Sequence, residues 1–279
     1  MPLISNTHGK ARVRVLRIAK EADGTQSVRE LNCKVMLTGD FARSFTDADN
    51  SRTLSTDTMK NLINIVAHEQ PATPNEPFLQ AVTQRFLDRY ETIGGLTITA
   101  HETRWTRMVV GGTPHPHAFT LDGNGRPVAE VTATRAGLTT TSGIDGFTFM
   151  KSTQSGWSGF WEDSYTTIPP TTDRMAATSL DARWSWSRPP ADWEAANATL
   201  LNTMLATFAA AYSHSMQDSL YRMAEAALAE VPEVAEIRLA APNKHYLLVN
   251  LAPFGLANEN TVFLPTDEPH GQIECVVGR

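Results

Sequence analysis

Apolar and polar positions alternate along the first forty residues in the manner of two paired strands. Val13 and Val15 alternate with Arg12 and Arg14, which predicts a strand over residues 11–20. Asp23-Gly24 is a hairpin turn signal. In the return strand Leu31, Cys33, Val35 and Leu37 face one way, and Asn32, Lys34, Met36 and Thr38 the other. One face is buried and one is wetter, as in an antiparallel sheet. Residues 41–50 carry Asp47, Asp49 and Asn50 but lack the glycine and distal glutamate of an EF-hand loop, so they read as a solvated loop. Leu62, Ile63 and Val66 then fall at helical spacing and predict a helix over 58–70. Pro71, Pro74 and Pro77 break it; a second helix is predicted over 76–90, and Gly94-Gly95 ends that segment.

The alternation resumes with strands over 96–108, 115–121 and 128–134, the last two joined by the turn Asp122-Gly123-Asn124-Gly125. A strand over 147–153 leads into a long irregular stretch, 154–170, containing Trp157, Phe160, Trp161 and Tyr165. A strand over 174–186 and Pro189-Pro190 precede a helix over 192–212, with Leu200, Leu201, Met204, Leu205 and Phe208 on its apolar side. Ser213-His214-Ser215 interrupts it, and Ser215 is placed to cap a further helix through Leu220, Met223 and Leu228. Strands over 236–239 and 246–251 finish the chain. The element order repeats loosely, which predicts an α+β protein of two halves, 1–135 and 136–279, with helices on one face of antiparallel sheets.

Composition narrows the class. Of 279 residues, 41% are hydrophobic and 19% charged, which supports a real core and excludes a disordered chain. A net charge of −6 argues against a nucleic-acid partner, since such proteins present a basic face. No run of eighteen apolar residues or signal core is present, so no membrane span is expected and the location is read as cytoplasmic. Two cysteines, Cys33 and Cys275, make neither a disulfide framework nor a zinc knuckle.

Candidate chemistry starts at Ser55-Thr56-Asp57-Thr58-Met59-Lys60-Asn61. This reads as a helix start with Thr56 or Asp57 as N-cap, and a helix start is a seat for an anion. Lys10, held against a threonine hydroxyl, could act in a proton relay. The planar fork of Arg174 could grip two acceptors of a flat ligand. Gln217 offers a donor and an acceptor to the edge of a heterocycle. Asn243-Lys244-His245 could position water and move its proton. Each residue also fits a bland role: a cap, a solvated charge, a salt bridge to Asp173, an exposed helix residue, a structural histidine. His115-Pro116-His117 lacks a third ligand for zinc. Phosphate-loop, dinucleotide-binding and nucleophile-elbow patterns are absent. On residue types alone the chain is a two-part α+β protein with a possible anion seat and no assigned reaction.

The ordered set of short motifs, however, resembles the urate oxidase (uricase) family. It comprises Gly9-Lys10, Thr38-Gly39-Asp40, Asp49-Asn50-Ser51, Thr56-Asp57-Thr58 with Lys60-Asn61, and His115-Pro116-His117-Ala118-Phe119. Lys151-Ser152-Thr153, Tyr165-Thr166-Thr167, Asp173-Arg174, Pro242 to Tyr246, Asn258-Glu259-Asn260 and Pro265 to Gly271 continue it. The resemblance implies tandem T-fold halves that close a barrel on oligomerisation, as a homotetramer with active sites between subunits. It implies cofactor-free oxidation of urate by dioxygen and water to 5-hydroxyisourate and hydrogen peroxide, with no metal. Lys10, Thr56 and His245 would form the proton relay. Arg174 and Gln217 would clamp one edge of urate, with the Met216 backbone in contact, and Thr56 and Asp57 of a neighbouring subunit would meet the other. Asn243 would hold water or dioxygen above the ring, and Ser55 and Ile168 would line the pocket. Trp157 stands where the family usually stacks a phenylalanine on the purine, and Met216 where a valine is common. Alternatives are a zinc-dependent T-fold pterin enzyme and a non-catalytic purine-binding tetramer.

Overall fold

The computed structural model describes residues 1–279. The chain forms two compact units, Met1–Gly143 and Ile144–Arg279. In the first, β1 (His8–Lys20) and β2 (Gln26–Gly39) form a hairpin; α1 (Ala42–Thr46), α2 (Thr56–Glu69) and α3 (Asn75–Arg89) follow. Then come β3 (Ile93–Thr103), β4 (Trp105–Val110), β5 (Thr113–Leu121) and β6 (Arg126–Thr134). The strand order is β1-β2-β3-β6, all antiparallel, with β4 and β5 as a separate ribbon. The hairpin register opposes Val13 to Cys33 and Val15 to Leu31, as the alternation requires. One sheet face is buried under the helix pair. Cys33, Val35, Leu37 and Ile98 share a core with Met59, Ile63 and Val66 of α2 and Phe78, Val82 and Phe86 of α3.

A charged side chain, Arg17, enters that core region. Arg17 is buried, and its guanidinium donates to the carbonyls of Gln70 (3.2 Å) and Thr73 (2.8 Å) and to Asn75 Oδ1 (3.1 Å). It also lies 4.1 Å from the Phe78 ring centroid. Burial, and then the charge of Arg29, lowers its pKa to about 10. The bonds satisfy carbonyls of the α2–α3 connection that proline breaks leave without helical partners.

β7 (Gly137–Lys151) carries the chain onward. The second unit contains β8 (Ala176–Trp186), α4 (Trp193–Ala210), α5 (Met216–Glu230), β9 (Val234–Leu248) and β10 (Phe263–Gly278), with β9 between β8 and β10 and antiparallel to both. Leu180, Ala182 and Trp184 of β8 and Ile237, Leu239 and Ala241 of β9 pack with Leu200, Met204 and Phe208 of α4 and Leu220, Met223 and Ala227 of α5. Asp192 and Ser215 cap the two helices: Asp192 Oδ1 accepts from Glu194 and Ala195 N–H, and Ser215 Oγ from Asp218 N–H.

Several expectations need correction. The loop at 41–50 holds the short helix α1, in which no residue is buried, so no apolar period marked it. The strand predicted over 96–108 is two strands broken at Arg104. β7 begins at Gly137, well before 147, because ladder bonding extends a Thr/Ser run that has no apolar alternation. The strands predicted at 236–239 and 246–251 are one strand, β9. Its polar middle reads as a break, yet Asn243 pairs with Thr178 and Gly271. β10 was not anticipated as a strand, although Ile273, Cys275 and Val277 alternate with Gln272, Glu274 and Val276 and pack on the second core.

Two predictions follow from this packing. Leu180→Ala, at a fully buried position, lowers stability by about 2–5 kcal/mol through lost transfer energy and the residual cavity, read as a fall in the urea midpoint. Burial raises the Cys33 thiol to about 12. At pH 8 Cys33 therefore stays unreactive to a thiol reagent in the folded protein and becomes reactive only in denaturant.

Candidate active site

The first unit brings together Lys10, Thr56 and Asp57. Gly9 has to be glycine, because a Cβ there would sit 2.1 Å from the Val35 carbonyl oxygen and 2.6 Å from Met36 Sδ. Next to it the β1–β2 register shifts between Lys10 and Val13, and Arg12 takes a left-handed φ of 58°. Such a bulge re-aims the side chains beside it. His8 Nε2 hydrogen-bonds the Leu54 carbonyl at 2.8 Å, which pins the approach to α2 against the start of β1. The N-cap of α2 is Ser55, in place of the expected Thr56 or Asp57. Its backbone is extended (φ −65°, ψ 144°), and its Oγ accepts from Thr58 N–H at 3.1 Å. Thr56 and Asp57 become the first two helical residues, whose N–H groups have no acceptor within the helix. The Asp57 carboxylate bonds Lys60 Nζ at 2.6 Å and Asn61 Nδ2 at 2.9 Å. Its pKa is held down chiefly by Lys60, with a smaller contribution from the Lys10 charge.

The second unit gathers Trp157, Arg174 and the start of α5 around a short run of irregular chain, while Asn243 and His245 belong to β9. Ser155 bridges Ser213 in parallel: Ser213 N–H donates to the Gln154 carbonyl at 3.0 Å and Gly156 N–H to the Ser213 carbonyl at 2.9 Å. Arg174 N–H donates to the Ser155 carbonyl at 2.9 Å, and Trp157 exchanges both backbone bonds with Thr171, at 2.7 and 2.8 Å. Trp157, Arg174 and the N-terminus of α5 are thereby laced together. The Arg174 guanidinium carbon is 5.8 Å from the Trp157 ring centroid, while Phe160 stacks on that indole at 5.4 Å and 11°. Burial depresses the Arg174 pKa, opposed by Tyr212, and its Nε is buried with no hydrogen-bond partner. A half-buried cation with unused donors beside an aromatic face suits a flat anionic ligand.

Met216 and Gln217 open α5, Met216 buried and Gln217 exposed. Asn243 lies inside β9, opposite Thr178 of β8, whose Oγ1 is fully buried without a hydrogen-bond partner. His245, also inside β9, opposes Thr266, and the neighbouring Lys244 pairs with Asp267 at 3.1 Å. Asn243 and His245 are half-buried within a strand, whereas the strands expected over 236–239 and 246–251 leave them in the gap between. Ser55 and Ile168 are exposed. A cavity of about 550 Å³ lined by Asp181, Arg183, Arg238, Glu274 and Cys275 holds none of the predicted site residues. His115 and His117 meet edge-to-face at 4.6 Å, and no group of three or more His, Cys, Asp or Glu side chains is placed to hold a metal ion.

Sequence reasoning missed Phe160, Tyr212 and the Ser155–Ser213 bridge. Phe160 lay in plain view in the aromatic-rich stretch. The bridge joins residues 58 apart along the chain, and no periodicity announces it.

The uricase family model matches residues 6–132 and 140–274. The chain is 37% identical to uricase from Aspergillus flavus, covering 98% of this chain and 95% of that protein. It is 34% identical to uricase from Dictyostelium discoideum, covering 99% and 97%. Its fold is similar to the crystal structure of uricase from Arthrobacter globiformis, with a TM-score of 0.94 and 34% identity over 100% of this chain and 95% of that one. With the family model matched over nearly the whole length and uricases at 34–37% identity covering almost all of it, the chain belongs to the uricase family.

Proposed function

We propose that this protein oxidises urate with dioxygen and water to 5-hydroxyisourate and hydrogen peroxide, without a cofactor, and that 1–135 and 136–279 are the tandem halves of a T-fold. Family membership supports the substrate. The observation that carries the site is the pairing of Arg174, desolvated and with unused donors, with the Trp157 ring. Arg174 and Gln217 clamp one edge of the urate anion, the Met216 backbone touches it, and Trp157 stacks on its face with the side that Phe160 leaves open. Thr56 and the Asp57 N–H meet the other edge from a neighbouring copy in a homotetramer, since a helix start favours an anion.

The chemistry then asks for proton movement and electrostatic support. Lys10, Thr56 and His245 relay protons, so that urate becomes an electron-rich dianion able to pass an electron to dioxygen. Recombination gives a hydroperoxide; water displaces it, and the leaving hydroperoxide takes a proton to become hydrogen peroxide. Urate, one dioxygen and one water balance 5-hydroxyisourate and one peroxide. Asn243 holds the water or dioxygen. The partnerless buried hydroxyl of Thr178, its register neighbour, supports an ordered water there.

Purified protein treated with chelator is expected to consume urate, followed by loss of near-ultraviolet absorbance, and to release one peroxide per urate. Absence of turnover by folded, tetrameric protein would overturn the reading. Arg174→Ala raises KM about 10- to 100-fold, the scale for losing charged hydrogen bonds. Trp157→Phe keeps the stacking face and retains activity, whereas Trp157→Ala raises KM about 2- to 10-fold.

A further inference from the structure

Tyr212 belongs to neither helix. It stands between the end of α4 and Ser213, and it is tied at every part of its structure. Its hydroxyl donates to the Thr172 carbonyl at 2.7 Å. Its ring meets the His214 ring edge-to-face at 4.9 Å. Its own carbonyl accepts from Arg222 Nη2 at 2.8 Å, and the same guanidinium pairs with Asp218 in the first turn of α5. Gly156 makes room for the phenol: a Cβ there would lie 2.3 Å from the Tyr212 hydroxyl and 2.9 Å from the Thr171 carbonyl.

Thr172 lies two residues before Arg174, and Thr171 is the backbone partner of Trp157. Tyr212 lies four residues before Met216 and five before Gln217. The phenol therefore spans the gap between the loop that carries Arg174 and the chain that feeds α5. Without it, the connection across that gap rests on the Ser155–Ser213 bridge, whose bonds set neighbouring backbone but not the reach from Thr172 to α5.

We propose that Tyr212 is a positioning residue: its hydroxyl bond to the Thr172 carbonyl sets the spacing between Arg174 and Gln217, and so the fit of the clamp to the edge of a planar purine anion. This rests on the site reading given above, in which Arg174 and Gln217 grip one edge together. Tyr212 does not touch the ligand. Its influence is on ground-state fit, because a clamp whose two arms drift apart by a fraction of an ångström loses bidentate geometry before it loses charge.

The test compares wild type, Tyr212→Phe and Arg174→Ala in urate oxidation, together with anaerobic equilibrium dialysis against urate. Tyr212→Phe keeps the ring and removes only the hydroxyl. It is expected to weaken both KM and the anaerobic dissociation constant about fivefold, the scale of one neutral hydrogen bond, with kcat within about twofold and an unchanged circular dichroism spectrum. If that variant does not fold, Gly156→Ala, whose added Cβ would lie 2.3 Å from the Tyr212 hydroxyl and so displaces it from the Thr172 carbonyl, carries the same expectation. Should Arg174→Ala weaken binding while the folded Tyr212 or Gly156 variant binds and turns over as wild type, the positioning role is overturned and the clamp stands. If Tyr212→Phe lowers kcat and leaves the dissociation constant alone, the proposal is likewise overturned. If Arg174→Ala changes nothing, the clamp itself fails, and the inference falls with it.

Discussion

Each unit of this protein depends on one constraint: an antiparallel sheet that buries only one face. In the first unit the buried face lies under α2 and α3, and in the second under α4 and α5. Burial of apolar area supplies most of the driving force, and alternation along every strand decides which side chains take part. The opposite face then stays available, with Leu16 and Ile18 of β1 standing exposed beside Arg12 and Arg14. Helix starts are set by the same arrangement. A helix laid across a sheet must begin and end near the sheet's margin, and the predicted anion contacts at Thr56 and at Met216–Gln217 are both helix starts.

Between these layers the polar interactions are few and specific. Arg17 satisfies the carbonyls of a proline-broken helix connection, where an unpaired buried carbonyl would be costly. Lys151 does related work in the second unit: it donates to the Phe208 and Ala211 carbonyls at the end of α4, at 3.2 and 2.7 Å, and lies over the Phe208 ring. A cation at a helix C-terminus meets free carbonyls and the negative end of the dipole together. Arg279 does the same for α5, donating to the Leu228 carbonyl and, at 3.0 Å, to that of Val234. These cations hold helix ends; the Nε atoms of Arg17 and Arg174 are both buried without a hydrogen-bond partner, but Arg17 spends its terminal nitrogens on carbonyls while the Arg174 guanidinium lies beside the Trp157 ring.

The irregular stretch from Gln154 to Arg174 is held by backbone bonds to distant partners. Ser155 and Gly156 pair with Ser213, Trp157 pairs with Thr171, and Tyr212 reaches Thr172. A loop so tied can present an aromatic face and a guanidinium at a set distance without belonging to any helix or strand. The bulge at Lys10 and the left-handed Arg12 serve a comparable end in the first unit, turning a lysine out of the regular alternation.

Much of this was legible in the residues. Period-two alternation located the first hairpin and its buried face, apolar spacing located α2, α4 and α5, proline and glycine signals bounded α3, and the side chain of Ser215 announced the start of α5 as a cap. The order of short motifs identified the family before any geometry was known. Such signals are local: they depend on neighbours within one turn or one strand pair. The structure alone decided that Ser55 caps α2, since Ser55, Thr56 and Asp57 can all accept from a helix's first N–H groups and only the backbone angle selects among them. It alone decided that Asn243 and His245 lie inside a strand, because their polar run is held by ladder bonds to Thr178, Gly271 and Thr266 rather than by any alternation of its own. And it alone brought Tyr212 to Thr172, because a single hydrogen bond across 40 residues leaves no period and no spacing in the chain that makes it.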